Sequence, residues 1–196
     1  MNRSRLEAFS DGVIAIIITI MVLELKAPHS TSWDDLLALW PVFLSYLLSF
    51  VNVGIFWVNH HHMLHTVKKV NGAVLWANLN LLFWLSFMPF ATAWMGENNF
   101  SATPVVMYCA ILCLCALAHT ILHLSIVRHE GQESILLSAV GNDLKRKLSL
   151  AGHILATLFA LAGLPFVAGV ILAAIALAWL VPDRRIEHRL QKNMSA

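Results

Sequence analysis

The sequence predicts an all-α, polytopic membrane protein with six transmembrane helices in each chain, and three observations support this prediction. The hydrophobic fraction is 59%, charged residues make up 12%, and the mean hydropathy is +0.72, whereas soluble domains are about 45–50% apolar and about 25% charged. The apolar residues lie in long runs separated by short polar connections. At 196 residues, the chain has room for about six spans of about 20 residues and for no sizeable soluble domain.

The first apolar run, residues 5–25, has no charged side chain in its central part. Ser4 precedes Glu7 by the spacing of a capping box, so we expect the helix to begin at Arg5 with these two side chains capping its first turn. The run contains acidic residues, is longer than a secretory signal and lacks a small-residue cleavage site. We therefore expect it to remain in the mature protein as a transmembrane helix.

Five further helices follow, and the whole chain, residues 1–196, is expected to form one transmembrane domain. Gly163 and Pro165 divide the last apolar stretch into two short helices, because glycine and proline interrupt helices. Pro89 is expected to kink the third helix. The six predicted membrane helices cover residues 5–26, 36–58, 72–95, 103–127, 148–163 and 166–181.

Basic residues lie almost entirely on one side of this arrangement. Of the 13 lysines and arginines, only Lys26 falls on the other side. By the positive-inside rule, both termini are expected to be cytoplasmic. The opposite end carries Glu24, Asp34, Asp35 and Glu97, which either form a cation-attracting mouth or are ordinary solvated loop charges.

The first helix has one face with a regular pattern. At about 100° per residue, positions three or four apart fall within one stripe. The residues in this stripe are Phe9, Gly12, Ile16, Ile20, Leu23 and Ala27. Thr19 lies at its edge, whereas Asp11 lies more than about 120° away from Ile16. Asp11 is therefore expected to face neighbouring helices.

A motif accompanies this stripe: Arg5, then Phe9-Ser10-Asp11-Gly12, then the apolar run with Thr19. At the inner end of a first transmembrane helix, it resembles the first-helix signature of the lysosomal potassium channel family, the transmembrane protein 175 family, including its bacterial members. Residues 81–90 also resemble the family's third helix. The resemblance implies a potassium channel of four six-helix subunits whose first helices line a central pore. A chain with one such unit resembles the tetrameric bacterial type, which implies a homotetramer, expected in the bacterial plasma membrane.

The resemblance implies roles for individual residues of the stripe. Ile16 corresponds to an isoleucine that forms the narrowest ring of the pore, and Thr19 to a threonine near that constriction. Ile20 and Leu23 continue the pore-lining face. The alternative is that the three apolar side chains contact lipid or the core of the bundle.

The expected conduction mechanism follows from what lines this pore. The Thr-Val-Gly-Tyr-Gly loop of ordinary potassium channels does not occur in the sequence, so selection by a ring of backbone carbonyls is not available. A hydrophobic constriction gates by dewetting and makes an ion shed part of its hydration shell. Potassium holds its water less tightly than sodium, so we expect weak selectivity for potassium among monovalent cations.

The resemblance also implies a cytoplasmic network that holds the pore helices in register, built on Arg5, Ser10 and Asp11. Three consecutive histidines lie at the same side of the membrane, at the end of the second predicted helix: His60, His61 and His62. A carboxylate without a partner near the membrane is costly. We therefore expect one or two of these histidines to contact Asp11 or Ser10.

Other histidines and the cysteines raise the question of a metal or haem site. His119 and His123 have the i,i+4 spacing that places two rings on one helix face. No haem-attachment or metalloprotease motif accompanies them, so we expect no metal ion and no cofactor, with potassium only as the permeant ion. Cys109, Cys113 and Cys115 are expected to be small buried side chains without a disulfide.

Two other classes of function stay open. A secondary or proton-coupled transporter needs ionisable groups within the membrane, for which His119 and His123 are the candidates. A membrane-embedded enzyme is disfavoured, because the sequence contains no nucleophile with a partnering base and no phosphate-binding loop; we expect no catalytic residues. The expected partners are monovalent cations, the lipid bilayer and other copies of this chain, with no nucleic acid.

Overall fold

The computed structural model describes residues 2–67, 70–131 and 144–180. These residues form helices and short connections, so the prediction of an all-α fold is confirmed. The helices in chain order are α1 (Arg3–Leu23), α2 (Trp33–Ala38), α3 (Trp40–His65), α4 (Gly72–Leu85), α5 (Met88–Glu97), α6 (Ala102–Glu130), α7 (Leu144–Leu161) and α8 (Pro165–Leu180).

Within the described residues, four helical segments are long and apolar enough to cross a membrane. They are α1, α3, the combined segment Gly72–Glu97 formed by α4 and α5, and α6. The chain is therefore a multi-pass membrane protein. The last two predicted spans correspond to shorter helices: α8 has 16 residues, a length of about 24 Å, against about 30 Å for the hydrocarbon core of a bilayer.

The start of α1 differs from the expected capping box. The helix begins at Arg3, and the side chain of Asn2 caps it by accepting a hydrogen bond from the Ser4 amide at 3.4 Å. Because the helix starts two residues earlier than predicted, Ser4 already lies inside the first turn. The Glu7 carboxylate lies beside His61 of α3.

The third apolar segment is interrupted where the sequence placed a kink. Helix α4 ends at Leu85, and α5 begins at Met88 with Pro89 in its first turn. Proline has no amide hydrogen and is well tolerated at this position of a helix. The last pair of helices is separated by Gly163, whose φ of 77° favours glycine.

The packing order leaves α1 at the periphery. Helix α6 contacts α4, α5, α7 and α8, whereas α1 contacts α3, α4 and α5. Helices α7 and α8 approach closely where a Cβ atom on Gly152 would lie only 2.7 Å from Ile175 Cδ1. The arrangement places α6 in the middle of the bundle and exposes one side of α1.

A buried hydrogen-bond cluster joins α3, α5 and α6. Ser49 Oγ donates to Tyr108 Oη at 3.0 Å, and Thr92 Oγ1 lies 2.7 Å from Ser49 Oγ. Asn52 Nδ2 also lies 3.5 Å from Tyr108 Oη. Ser49, Tyr108 and Asn52 are fully or almost fully buried. The phenol oxygen of Tyr108 is therefore the shared partner that links Ser49 and Asn52 of α3 to α6.

We expect Tyr108→Phe to destabilise the protein by about 0.6–2 kcal/mol, the range of hydrogen bonds between membrane helices. The substitution keeps the ring but removes the oxygen shared by Ser49 and Asn52. Thermal unfolding of the purified protein in detergent measures the effect. Tyr46→Phe on α3 is the matched control, since Tyr46 is only partly buried; an equal loss of stability in both variants would contradict this prediction.

Candidate functional site

The candidate site is α1 together with the polar contacts around its N-terminal half. One face of the helix packs into the bundle through Leu6, Ser10, Ile14, Ile17 and Met21. The opposite face is exposed: Phe9 is 52%, Ile16 58%, Ile20 40% and Leu23 77% accessible. The whole stripe predicted from the sequence is therefore left uncovered by the other described helices of the chain.

Thr19 also lies on the exposed side of α1. Its hydroxyl group donates to the carbonyl oxygen of Ile16 at 2.8 Å. This bond satisfies the hydroxyl hydrogen within the helix and leaves the oxygen facing outward. A side chain in this state can accept a hydrogen bond from water beside the apolar stripe.

A chain of buried polar side chains ties α1 to α3 and α4. Asn78 Nδ2 donates to Ser10 Oγ at 2.9 Å, and His60 Nε2 lies 2.7 Å from Asn78 Oδ1. Ser10 Oγ in turn donates to the Leu6 carbonyl at 2.9 Å. Since an amide oxygen only accepts, His60 donates from Nε2. The predicted contact between a histidine and Ser10 is therefore indirect and runs through Asn78.

Asp11 has a partner that the sequence did not predict. Its carboxylate accepts a hydrogen bond from Trp57 Nε1 at 2.9 Å. The residue faces α3, as predicted, and lines an open groove of about 720 Å³ between α1 and α3. His62 lies on the same groove.

Three contacts follow one another along the antiparallel pair α1 and α3. Arg3 Nη1 donates to the His65 carbonyl at 3.0 Å, Glu7 Oε1 lies 3.1 Å from His61 Nδ1, and Asp11 bonds Trp57. Each step moves four residues forward on α1 and four back on α3, which keeps both sets of side chains on facing surfaces. Arg5, which the motif placed in this network, is exposed.

Sequence reasoning missed several members of this network. Trp57 and His65 were not assigned a contact, and Glu7 was assigned to a helix cap. A signal for them was present: Glu7 and Asp11 are four residues apart, as are Trp57 and His61. Matching the two four-residue repeats on consecutive antiparallel helices would have found the pairing.

His119 and His123 lie on α6, away from this network. His119 lines a small cavity of about 50 Å³ with Asn59 and His153, and its Nε2 atom is buried without a hydrogen-bond partner among the described residues. His123 is buried. Neither belongs to the cluster of possible metal ligands found in the described part of the chain.

At the opposite end of the bundle, an ion pair joins the connection after α1 to the last residue of α5. Lys26 Nζ lies 2.9 Å from Glu97 Oε1, and this hydrogen bond, with the attraction of the carboxylate, raises the pKa of Lys26. The charge of Glu97 is thereby compensated. Asp35 accepts a hydrogen bond from Ser30, so two of the four acidic residues expected to form a mouth have local partners.

Known proteins that are similar to this chain in sequence and fold are named as channels. A family model described as "Endosomal/lysosomal potassium channel TMEM175" matches residues 5–89. A protein from Chryseobacterium sp. named as a potassium channel is 51% identical over 195 residues, covering 98% of this chain and all of that protein. A potassium channel from Streptomyces collinus is 38% identical over 127 residues, covering 60% of this chain and 62% of its own length.

The fold is also similar to a solved channel structure. The crystal structure of a lysosomal potassium-selective channel TMEM175 homologue from Chamaesiphon minutus superposes with a TM-score of 0.80 at 26% identity, covering 92% of this chain and 97% of that one. The full-length relative and this structural match agree with the family suggested by the first-helix motif. The chain therefore belongs to the TMEM175 family, whose members are channels and not enzymes.

Proposed function

We propose that this protein is a potassium channel of the bacterial plasma membrane, assembled as a homotetramer around a pore lined by α1. The observation that carries the proposal is the uncovered face of α1, in which Ile16 and Leu23 are 58% and 77% accessible in the single chain. An apolar stripe on one face of the helix alone would also suit contact with lipid. The names of the relatives, potassium channels and a potassium-selective channel, favour the pore.

The proposed pore is constricted by rings of apolar side chains. Four copies of α1 would form rings of Ile16, Ile20 and Leu23, separated along the axis by about 6 and about 4.5 Å. Rings of this kind exclude water, and an ion crosses them only after losing part of its hydration shell. Potassium loses water more easily than sodium, which gives the channel a weak preference for potassium. Thr19 supplies the polar oxygen nearest to the constriction.

Contacts at one end of the bundle support the proposed cytoplasmic placement of both termini. The start of α1 meets the end of α3 through Arg3 and His65, and the start of α4 meets the end of α6 through Asn71 and His129 at 3.0 Å. This end carries Arg3, Arg5 and Arg128 and the start of α7 with Lys145 to Lys147. Six further basic residues assigned to it lie outside the described residues: Lys68, Lys69, Arg184, Arg185, Arg189 and Lys192.

We assign α7 and α8 as the fifth and sixth membrane segments. The Gly163 turn joins them, and α7 packs against α6. Trp179 Nε1 donates to Ser149 Oγ at 2.6 Å, and Lys145 Nζ lies 4.4 Å from the Trp179 ring centre. A lysine beside a tryptophan ring at a helix end is typical of the membrane interface. A segment shorter than the bilayer is accommodated by local thinning at modest cost.

The test is ion flux through the purified protein in liposomes, with matched potassium and sodium gradients and protein-free liposomes as the control. We expect passive potassium flux that exceeds sodium flux and needs no second gradient. Flux that occurs only with an imposed proton gradient would overturn the channel proposal. It would favour the proton-coupled transporter and direct attention to His119 and His123.

We expect Asp11→Ala to impair assembly more than ion selectivity. The carboxylate bonds Trp57 on the groove side of α1 and does not lie on the Ile16 stripe. Cross-linking and size-exclusion chromatography measure the fraction of tetramer, and the flux assay measures selectivity. Asp34→Ala is the control, since Asp34 is an exposed residue of α2. Normal tetramers with a changed potassium preference would contradict the assignment of Asp11.

A further inference from the structure

A cluster of three ligand-type side chains joins the first turns of α1 to the last turns of α3. Glu7 Oε1 lies 3.1 Å from His61 Nδ1 and 3.5 Å from His65 Nε2. The three atoms all lie within 4.8 Å of one another. His61 and His65 are four residues apart on α3, and their ring centres are 4.5 Å apart. The cluster is distinct from the Asp11 and Ser10 contacts.

The two distances from the carboxylate oxygen match the coordination sphere of a small metal ion. Zinc binds histidine nitrogen and carboxylate oxygen at about 2.0–2.2 Å. Two ligands of a tetrahedral ion at those lengths are about 3.4 Å apart. The two measured distances from Glu7 Oε1 bracket this value. Two imidazoles and one carboxylate are also a donor set that zinc uses in proteins.

The orientation of His61 suits a metal ligand better than a hydrogen-bond donor. Its Nδ1 atom is buried and makes no hydrogen bond among the described residues, although the Glu7 oxygen lies 3.1 Å away. The distance between the two atoms is that of an ion pair, but the Glu7 oxygen does not lie in the direction in which an N–H group on Nδ1 would point. A metal ion between the two atoms would accept a lone pair from each and remove this mismatch.

The cluster is accessible to an ion from solution. The side chains of His61 and His65 are 38% and 40% exposed, and that of Glu7 is 15% exposed. Arg3 binds the His65 carbonyl rather than the Glu7 carboxylate, so it leaves the carboxylate oxygens to the two histidines. Three protein ligands at a partly open site leave one position for water.

We propose that Glu7, His61 and His65 form a binding site for a divalent transition-metal ion of the zinc class that bridges α1 and α3. This site departs from the expectation of no metal, because the third ligand comes from a different helix. A bound ion ties the end of α1 to α3. Where α1 lines the pore, as proposed above, the ion limits the movement of the pore helix and reduces conduction.

Zinc titration of the purified full-length protein tests the site directly. The protein is prepared without a polyhistidine tag, because such a tag would itself bind zinc. Isothermal titration calorimetry then measures the affinity and the stoichiometry of zinc binding. We expect one zinc ion per chain at this site. Glu7→Gln and His65→Ala should weaken binding at least about tenfold, the scale seen when a metal site loses a supporting group.

Two further variants separate metal ligation from general disturbance of the helix end. His62→Ala removes the neighbouring histidine outside the cluster and should bind zinc as the wild type does. His65→Glu should retain binding, because a carboxylate is also a zinc ligand and a glutamate side chain has a reach similar to that of the imidazole Nε2 atom. Wild-type affinity in Glu7→Gln and His65→Ala would overturn the proposal and identify the contact as a simple ion pair. If His65→Ala does not fold, the nearly isosteric Glu7→Gln decides.

A cobalt spectrum gives a second readout. Cobalt substituted for zinc is expected to show visible absorption of a four- or five-coordinate site in the wild type and to lose it in Glu7→Gln. Absence of such a spectrum in a wild type that binds cobalt would contradict the inner-sphere site.

The effect on conduction rests on the proposed function and is measured separately. Zinc should reduce potassium flux through wild-type liposomes more than through Glu7→Gln liposomes. If the ligand variants bind zinc as tightly as the wild type while potassium flux is intact, the metal site alone is overturned. If zinc binding is weakened in the ligand variants as expected but the wild type shows no potassium flux, the channel proposal alone is overturned.

Discussion

Ile16→Asn is expected to raise conductance and to lower the preference for potassium over sodium. The substitution places four amides in the proposed narrowest ring, so water can remain there and an ion keeps more of its hydration shell. Each reduction of the barrier by about 1.4 kcal/mol raises the rate about tenfold. Flux in matched potassium and sodium gradients, with wild type and variant reconstituted side by side, measures both changes.

Val22→Asn is the matched control for this experiment. Val22 is also exposed on α1, at 44%, but it lies about 120° away from Ile16 around the helix. The same polar side chain at that position should leave selectivity close to that of the wild type. Unchanged permeation in Ile16→Asn would show that the constriction is not at this residue, and equal changes in both variants would indicate a general effect of polarity on α1.

Asn78→Ala is expected to produce the largest loss of stability among the polar contacts. Asn78 is fully buried and joins Ser10 of α1 to His60 of α3. Its removal leaves a buried imidazole without an acceptor and a buried hydroxyl without a donor. Each such group costs about 1–3 kcal/mol. Thermal unfolding in detergent measures the loss, and the fraction of tetramer shows whether α1 is still held in position.

Asn80→Ala provides the comparison on the same helix. Asn80 is only partly buried and lies two residues from Asn78, so it points to another side of α4. We expect a small change in unfolding temperature for this variant. A similar loss in the two variants would mean that the bridge between Ser10 and His60 does not hold the helices together.

The stripe on α1 could be predicted because its residues are close together in the chain. Ile16, Ile20 and Leu23 share a face on any regular helix, and the structure leaves that face exposed. The start of α1 was not predicted correctly, because Asn2 caps the helix in place of Ser4. Glu7 contacts His61 of α3 rather than the helix start.

The histidine contacts also include a part that the sequence predicted and a part that it did not. The sequence placed His60, His61 and His62 near the motif of α1, and the structure brings all three to that region. It could not indicate that Asp11 bonds Trp57 or that His60 reaches Ser10 through Asn78. These pairings depend on the rotation and register of α1, α3 and α4 relative to one another.

The amino-acid sequence alone established the membrane class, the breaks near Pro89 and Gly163, the family motif and the apolar face of the first helix. These features depend on composition and on the helical period, which are properties of neighbouring residues. The packing of the helices determined the partners of Asp11, Ser10 and Glu7 and the convergence of Glu7 with His61 and His65. Such contacts join residues far apart in the chain, so they exist only after the helices have packed in one register.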